Sequence, residues 1–200
     1  MIKTLICATA ISALLITPAA ANIGAYGGLG YSYYSGAGDS SGIDTNAINF
    51  QLGSKIVDYL DAEVKTEFQD TNDYDLNNNQ LEVALVPHLA LPSVSNGFGI
   101  YGRVGLGYNW LSGKLANQDF SYGSVEPGVY YKFFGETNPT KVSLGYRYRN
   151  SFDDTKYETN SAVLGGEYAF DTHNSVVANY TYADGDETFN QFSVGYLARF

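Results

Sequence analysis

From about residue 24 onward, apolar and polar side chains alternate in short runs separated by Gly, Asp, Asn, Ser and Pro, the period of two expected of strands with one apolar face. The cleanest run is Tyr59–Gln69, where Leu60, Ala62, Val64, Thr66 and Phe68 interleave with Asp61, Glu63, Lys65 and Glu67. The pattern predicts ten strands: Gly24–Ser35, Thr45–Ser54, Tyr59–Gln69, Gln80–Leu91, Phe98–Leu111, Asp119–Phe134, Thr140–Asn150, Tyr157–Phe170, Ser175–Ala183 and Thr188–Phe200. Gly36–Asp44, Lys55–Asp58, the Asn/Asp-rich Asp70–Asn79, Pro92–Gly97, Gly135–Pro139, Asp171–Asn174 and Asp184–Glu187 have loop or turn chemistry. Pro87 removes one ladder donor from the fourth strand, which ordinarily marks an edge. Connections after even-numbered strands are expected to be short, and some of those after odd-numbered strands longer, all of the latter acidic.

Composition agrees with β structure: 18 Tyr, 11 Phe and 22 Gly against 5 Pro in 200 residues of uniform character, enough for one domain of low helical content. The N-terminus differs. A basic start at Met1–Lys3, an uncharged apolar run from Thr4 to Thr17 and the A-x-A site of Pro18–Ala21 predict a signal peptide over residues 1–21, with a barrel domain over 22–200. The apolar run is shorter than the ~20 residues a spanning helix needs, and no later run approaches that length. Removal of residues 1–21 takes Lys3 and the single cysteine, Cys7, leaving 10 basic against 21 acidic residues, a formal charge of −11. An exported chain without a thiol needs another device to hold it, and a closed barrel satisfies every backbone group between strands. The negative charge disfavours nucleic acid as a partner.

The final strand puts Phe192, Val194, Tyr196, Ala198 and Phe200 on one face and Gln191, Ser193, Gly195 and Arg199 on the other. It resembles the C-terminal strand of bacterial outer-membrane β-barrels, in which Ser193, Gly195, Tyr196 and Phe200 would form the assembly signal. Ala198 departs from the aromatic or larger apolar residue usual there. Aromatic side chains fall in two sets, Tyr31, Tyr33, Tyr108, Trp110, Tyr148 and Tyr182 near the loop ends of the apolar faces, and Phe98, Phe133, Phe170 and Phe200 near the turn ends, as interfacial girdles require. On these features the chain resembles the small outer-membrane barrels of the OmpA-transmembrane, OmpX and opacity-protein type. The fold this implies is all-β, an antiparallel up-and-down transmembrane β-barrel of the bacterial outer membrane of Gram-negative cells. Relatives of that type commonly have eight strands, whereas ten are counted here. A secreted β-sandwich is the competing architecture, but it needs neither girdles nor a terminal Phe. The resemblance implies outer-membrane lipid, lipopolysaccharide and the barrel assembly machinery as partners, with small solutes as cargo if the lumen is open.

The polar faces hold the candidate pore lining: Glu63, Lys65, Glu67, Glu82, Arg103, Glu126, Lys132, Arg147, Arg149 and Glu167. In a barrel of few strands such charges form a salt-bridged plug or line a narrow pore, where Arg103, Arg147 and Arg149 would attract an anion. Tyr146-Arg-Tyr-Arg149 also resembles strands of the small porins that pass acidic oligosaccharides, the KdgM type, which have more strands and a richer basic lining. A surface barrel for adhesion or envelope stability, without a pore, is the other alternative. No enzyme is expected. His88 and His173 are the only histidines and both fall near proposed periplasmic ends, without a His-x-Ser motif. No metal or cofactor is expected either. Asp70–Asp75 clusters carboxylates, but counted from Asp73 it has Asn78 and Ala84 where a calcium loop has Gly and Glu.

Overall fold

The computed structural model of the chain describes residues 24–37, 44–71, 76–94, 97–113, 117–133, 140–153 and 157–200. The predicted signal peptide lies outside them. Ten strands follow one another as β1 (Ala25–Gly36), β2 (Asp44–Val57), β3 (Leu60–Thr71), β4 (Leu76–Ala90), β5 (Phe98–Gly113), β6 (Asn117–Phe133), β7 (Thr140–Ser151), β8 (Glu158–Ala169), β9 (Asn174–Gly185) and β10 (Phe189–Arg199). Each pairs antiparallel with the next, and β1 pairs with β10, from Tyr26 opposite Arg199 to Gly36 opposite Phe189, so the sheet closes on itself. Closure leaves no edge strand with unpaired backbone groups. Among the described residues no helix is long and apolar enough to cross a membrane, which does not bear on strands.

The alternation of the sequence becomes an inversion of the usual core. Large apolar side chains point outward and stay exposed, among them Leu29, Ile48, Val83, Val104, Leu106, Leu144, Leu164 and Phe192, while Ser32, Glu82, Arg103, Thr159 and Ser175 are buried inside. A continuous apolar belt of that kind is unstable in water and matches hydrocarbon. The aromatic girdle residues Tyr31, Tyr33, Tyr108 and Tyr182 are on this outer face, as are Phe133, Phe170 and Phe200.

Three expectations need correction. Of Asp70–Asn79, residues 72–75 lie outside the described residues and the rest are strand: Asp70 and Thr71 end β3, and Asn77, Asn78 and Asn79 of β4 pair with Ser112, Leu111 and Trp110 of β5. Two neighbouring ladders outweigh the turn preference of Asn there. The second strand runs past Ser54 to Val57, with a bulge between Lys55 and Val57. Nor does connection length separate the two ends: residues 58–59, 91–97, 134–139 and 170–173 follow even strands, and 37–43, 72–75, 114–116, 152–157 and 186–188 follow odd ones. The excess chain after β5 is paired strand rather than loop, since β5 and β6 have 16 and 17 residues.

Pro87 stays inside a strand, and its cost is visible. The β4–β5 ladder is interrupted between Leu85↔Val104 and His88↔Tyr101, and the β6–β7 ladder between Val125↔Tyr148 and Gly128↔Gly145, around Pro127. Neither gap shifts the register. Gly102 lies between the two prolines, opposite Pro127 in β6 and with Pro87 Cγ 3.5 Å from where its Cβ would be. Missing donors thus weaken two rungs at one level of the barrel without displacing a strand.

Candidate channel lining

The inward positions divide the lumen into two unlike walls. On β3–β7 they carry an ion-pair network. Arg103 is its centre, donating from Nε to Glu82 at 2.9 Å and from Nη1 to Glu63. Arg149 reaches the other oxygen of Glu82 at 3.4 Å, and Arg147 holds Glu126 at 2.6 Å. Tyrosine hydroxyls complete the carboxylates' coordination: Tyr26 donates to Glu63 at 2.5 Å, Tyr122 to Glu82 at 3.0 Å and Tyr101 to Glu126 at 2.9 Å. Each carboxylate is therefore both charge-paired and hydrogen-bonded, the condition under which burial of a charge is tolerable. These rings have room because the facing strand offers glycine. A Cβ at Gly107 would come within 2.0 Å of the Tyr122 ring, and one at Gly53 within 2.2 Å of Tyr26.

On β8, β9, β10, β1 and β2 the inward residues at mid-height are small or neutral: Ser161, Val163 and Gly165, then Asn179, Gln191, Ser193, Gly30, Ser32, Asn49 and Gln51. Among themselves Asn49 donates to Ser32 at 2.8 Å, Gln191 to Ser32 at 3.3 Å and Asn179 to Ser193 at 3.4 Å, and Gln51 also donates to Glu63 at 3.1 Å and Gln191 to Tyr34 at 2.7 Å. Asn179 points inward, opposite Ser193 and Gly165, and is nevertheless exposed. Lys65, inward on β3 with its Nζ 3.8 Å from Glu63, is also open to solvent. Solvent-accessible side-chain surface inside the barrel is thus found at Asn179 on the neutral wall and at Lys65 on β3.

Two smaller clusters stand apart. Toward the end formed by the odd-strand connections, Tyr34 donates to Glu67, which also accepts from Gln69 at 2.7 Å. At the other end Glu167 takes Lys141 at 3.2 Å, Ser175 at 3.0 Å and Arg199, and His88 faces Asp61 at 3.6 Å.

The sequence matches the outer membrane protein beta-barrel domain family over residues 4–200. The chain belongs to that family. This outer-membrane barrel has no sequence match among curated proteins. Its fold is similar to an outer membrane channel from Pseudomonas putida F1, with a TM-score of 0.54 at 10% identity, covering 89% of this chain and 96% of that one. It is also similar to the translocator domain of the autotransporter NalP from Neisseria meningitidis, with a TM-score of 0.50 at 10% identity over 97% and 98% of the two chains. Neisserial surface protein A gives a TM-score of 0.50 at 12% identity over 88% and 97%. At such identities the likeness is one of fold.

All ten predicted lining residues point into the barrel. The structure gathers Glu63, Lys65, Glu82, Arg103 and Arg149 into one network with the Arg147–Glu126 pair beside it, and it leaves Glu67, and Lys132 with Glu167, in separate clusters at the two ends. The hydroxyls of Tyr26, Tyr101 and Tyr122 and the cations Lys141 and Arg199 were not foreseen as part of it. Their position on the polar parity, opposite inward glycines for the tyrosines, was the available signal. In β10, Ser193 and Gly195 face inward, Tyr196 and Phe200 face outward, and Phe200 N–H donates to Ala25 at 2.8 Å at the closing seam. His173 lies in the β8–β9 turn, where its N–H donates to Asp171 at 2.7 Å. Among the described residues no group of His, Cys, Asp and Glu could hold a metal.

Proposed function

We propose that this outer-membrane barrel is a narrow channel for small polar solutes, with its passage running eccentrically along the neutral wall. The observation that carries the proposal is the exposure of two inward-pointing side chains, Asn179 on the neutral wall and Lys65 on β3. A plug filling the whole lumen would cover both. Solutes passing there meet amide and hydroxyl groups that exchange hydrogen bonds with water at little cost. The acidic-oligosaccharide alternative draws less support, because the inward-facing Arg147 and Arg149 are paired with Glu126 and Glu82.

Planar-bilayer recording of refolded, heat-modifiable protein tests the proposal. Small discrete conductance steps are expected, and Asn179→Trp, which places a ring in the passage, should abolish or sharply reduce them while leaving the barrel folded. Silence from folded wild-type protein, or unchanged steps in the Trp variant, would overturn it.

A further inference from the structure

The formal charge of the lumen and the charge a solute would meet there are different. The carboxylates of the main network, and Glu167 of the inner cluster, are sequestered. Side-chain exposure is 11% for Glu63, 5% for Glu82, 6% for Glu126 and 9% for Glu167. Lysine tips are not: Lys65 and Lys141 are 42% and 40% exposed, Arg199 is 34% exposed, and Lys132 is exposed as well. Glu67 is half-buried and hydrogen-bonded, and Asp61, 23% exposed, faces His88. The accessible interior charge of a protein with net charge −10 is therefore positive.

This positive charge is concentrated at one end. Lys132 and Lys141 are direct cross-strand neighbours on β6 and β7, both inward, an arrangement of like charges that sheets ordinarily avoid. Glu167, opposite Lys141 on β8, is shared between Lys141 and Arg199. Lys132 sits over the Tyr130 ring, 5.5 Å from its centroid, and forms no ion pair among the described residues. Three cations thus gather around Glu167, which is already engaged, and the other carboxylate at this mouth, Asp61, faces His88. An even strand number with both chain ends on one side places this cluster at the periplasmic mouth in the orientation usual for outer-membrane barrels.

We propose that Lys132, Lys141 and Arg199 form an anion-binding site at the inner mouth of the barrel, for a small oxyanion bearing phosphate or carboxylate, and that with Lys65 at the waist they make the passage anion-preferring. The channel preference rests on the proposed passage; the binding site does not. Low-dielectric walls focus the field of such a cluster, and lysine rings are a recognised means of selecting anions and phosphates.

Two measurements separate the claims. In a potassium chloride gradient the reversal potential should show chloride permeating better than potassium, and Lys65→Gln/Lys132→Gln/Lys141→Gln should bring the two close to parity. Calorimetric titration of folded protein with inorganic phosphate should show binding that Lys132→Gln/Lys141→Gln weakens by about tenfold, as loss of two charge contacts implies. A folded barrel silent in the bilayer that binds phosphate through these lysines would remove the passage and uphold the site. A conducting barrel that prefers potassium would overturn the anion preference and leave the passage standing, and a flat phosphate titration would overturn the site whatever the barrel conducts.

Discussion

The wall formed by β3–β7 and the wall formed by β8–β10 with β1 and β2 enclose one lumen with opposite solutions to the same constraint. Inside a barrel every inward side chain must be satisfied or wet. The first wall locks guanidinium, carboxylate and tyrosine hydroxyl together, and its packing is tight enough that Arg103 Nη2 and Arg149 Nε are buried without a hydrogen-bond partner among the described residues. The second uses short neutral side chains that leave space and let water do the rest. The ion pairs are thus concentrated on one side of the lumen and the proposed passage lies on the other, and substitutions should sort accordingly.

The largest effect should come from the centre of the charged wall. Arg103→Ala strands Glu63 and Glu82 in a site with no compensating cation at the same distance, and breaking such a pair costs about 3–5 kcal/mol. Denaturant unfolding in lipid vesicles measures it, and a loss under about 1 kcal/mol would mean that the two walls do not differ in kind. The outer surface of the same wall provides a control. Leu144 faces outward on β7, three residues before inward Arg147, and Leu144→Arg should cost about 2–4 kcal/mol if the site lies near the bilayer midplane. Equal tolerance of arginine at both positions would invert the faces. Next in size is Tyr122→Phe, which removes a donor to the buried Glu82 carboxylate and should destabilise by about 1.5–3 kcal/mol. The same assay on Asn179→Ala, on the neutral wall, should show far less.

The smallest effect lies outside both walls. In the β8–β9 turn the Asp171 carboxyl accepts from Asn174 and from the His173 and Asn174 N–H groups, which hold it below the usual aspartate value. A lowered folded value means that this contribution is complete above the unfolded pKa near 3.9 and is lost as pH falls through the folded one. Asp171→Asn should lower stability slightly at neutral pH and leave it unchanged once the pH is below the folded value, so that the acid limb of the stability profile flattens.

The strand count and the faces were legible because side-chain parity is a local property. Once Leu60, Ala62 and Val64 are placed toward lipid, Glu63 and Lys65 have no choice but the lumen. The partnerships among inward residues were not legible, because they depend on the stagger between strands. Nothing near Glu63 in the chain points to Arg103, nor near Glu82 to Arg149, and both pairs follow from barrel tilt and register. The apparent arginine pore of Tyr146–Arg149 shows the same limit: the residues face inward as expected, but the carboxylates that engage them come from β4 and β6. Aspect alone also hid the difference between a charge that is inside and a charge that is accessible.

Nine of the ten strand contacts join sequence neighbours through short connections, and one, between β1 and β10, joins the far ends of the fold. That seam runs through the middle of the neutral wall. The charged wall can therefore be built from hairpins alone, at the entropic cost of short loops, whereas the neutral wall exists only after the single long-range closure. Assembly order is written into the geometry: a partly zipped sheet already holds the ion pairs of β3–β7, and the proposed passage is enclosed with the last rung.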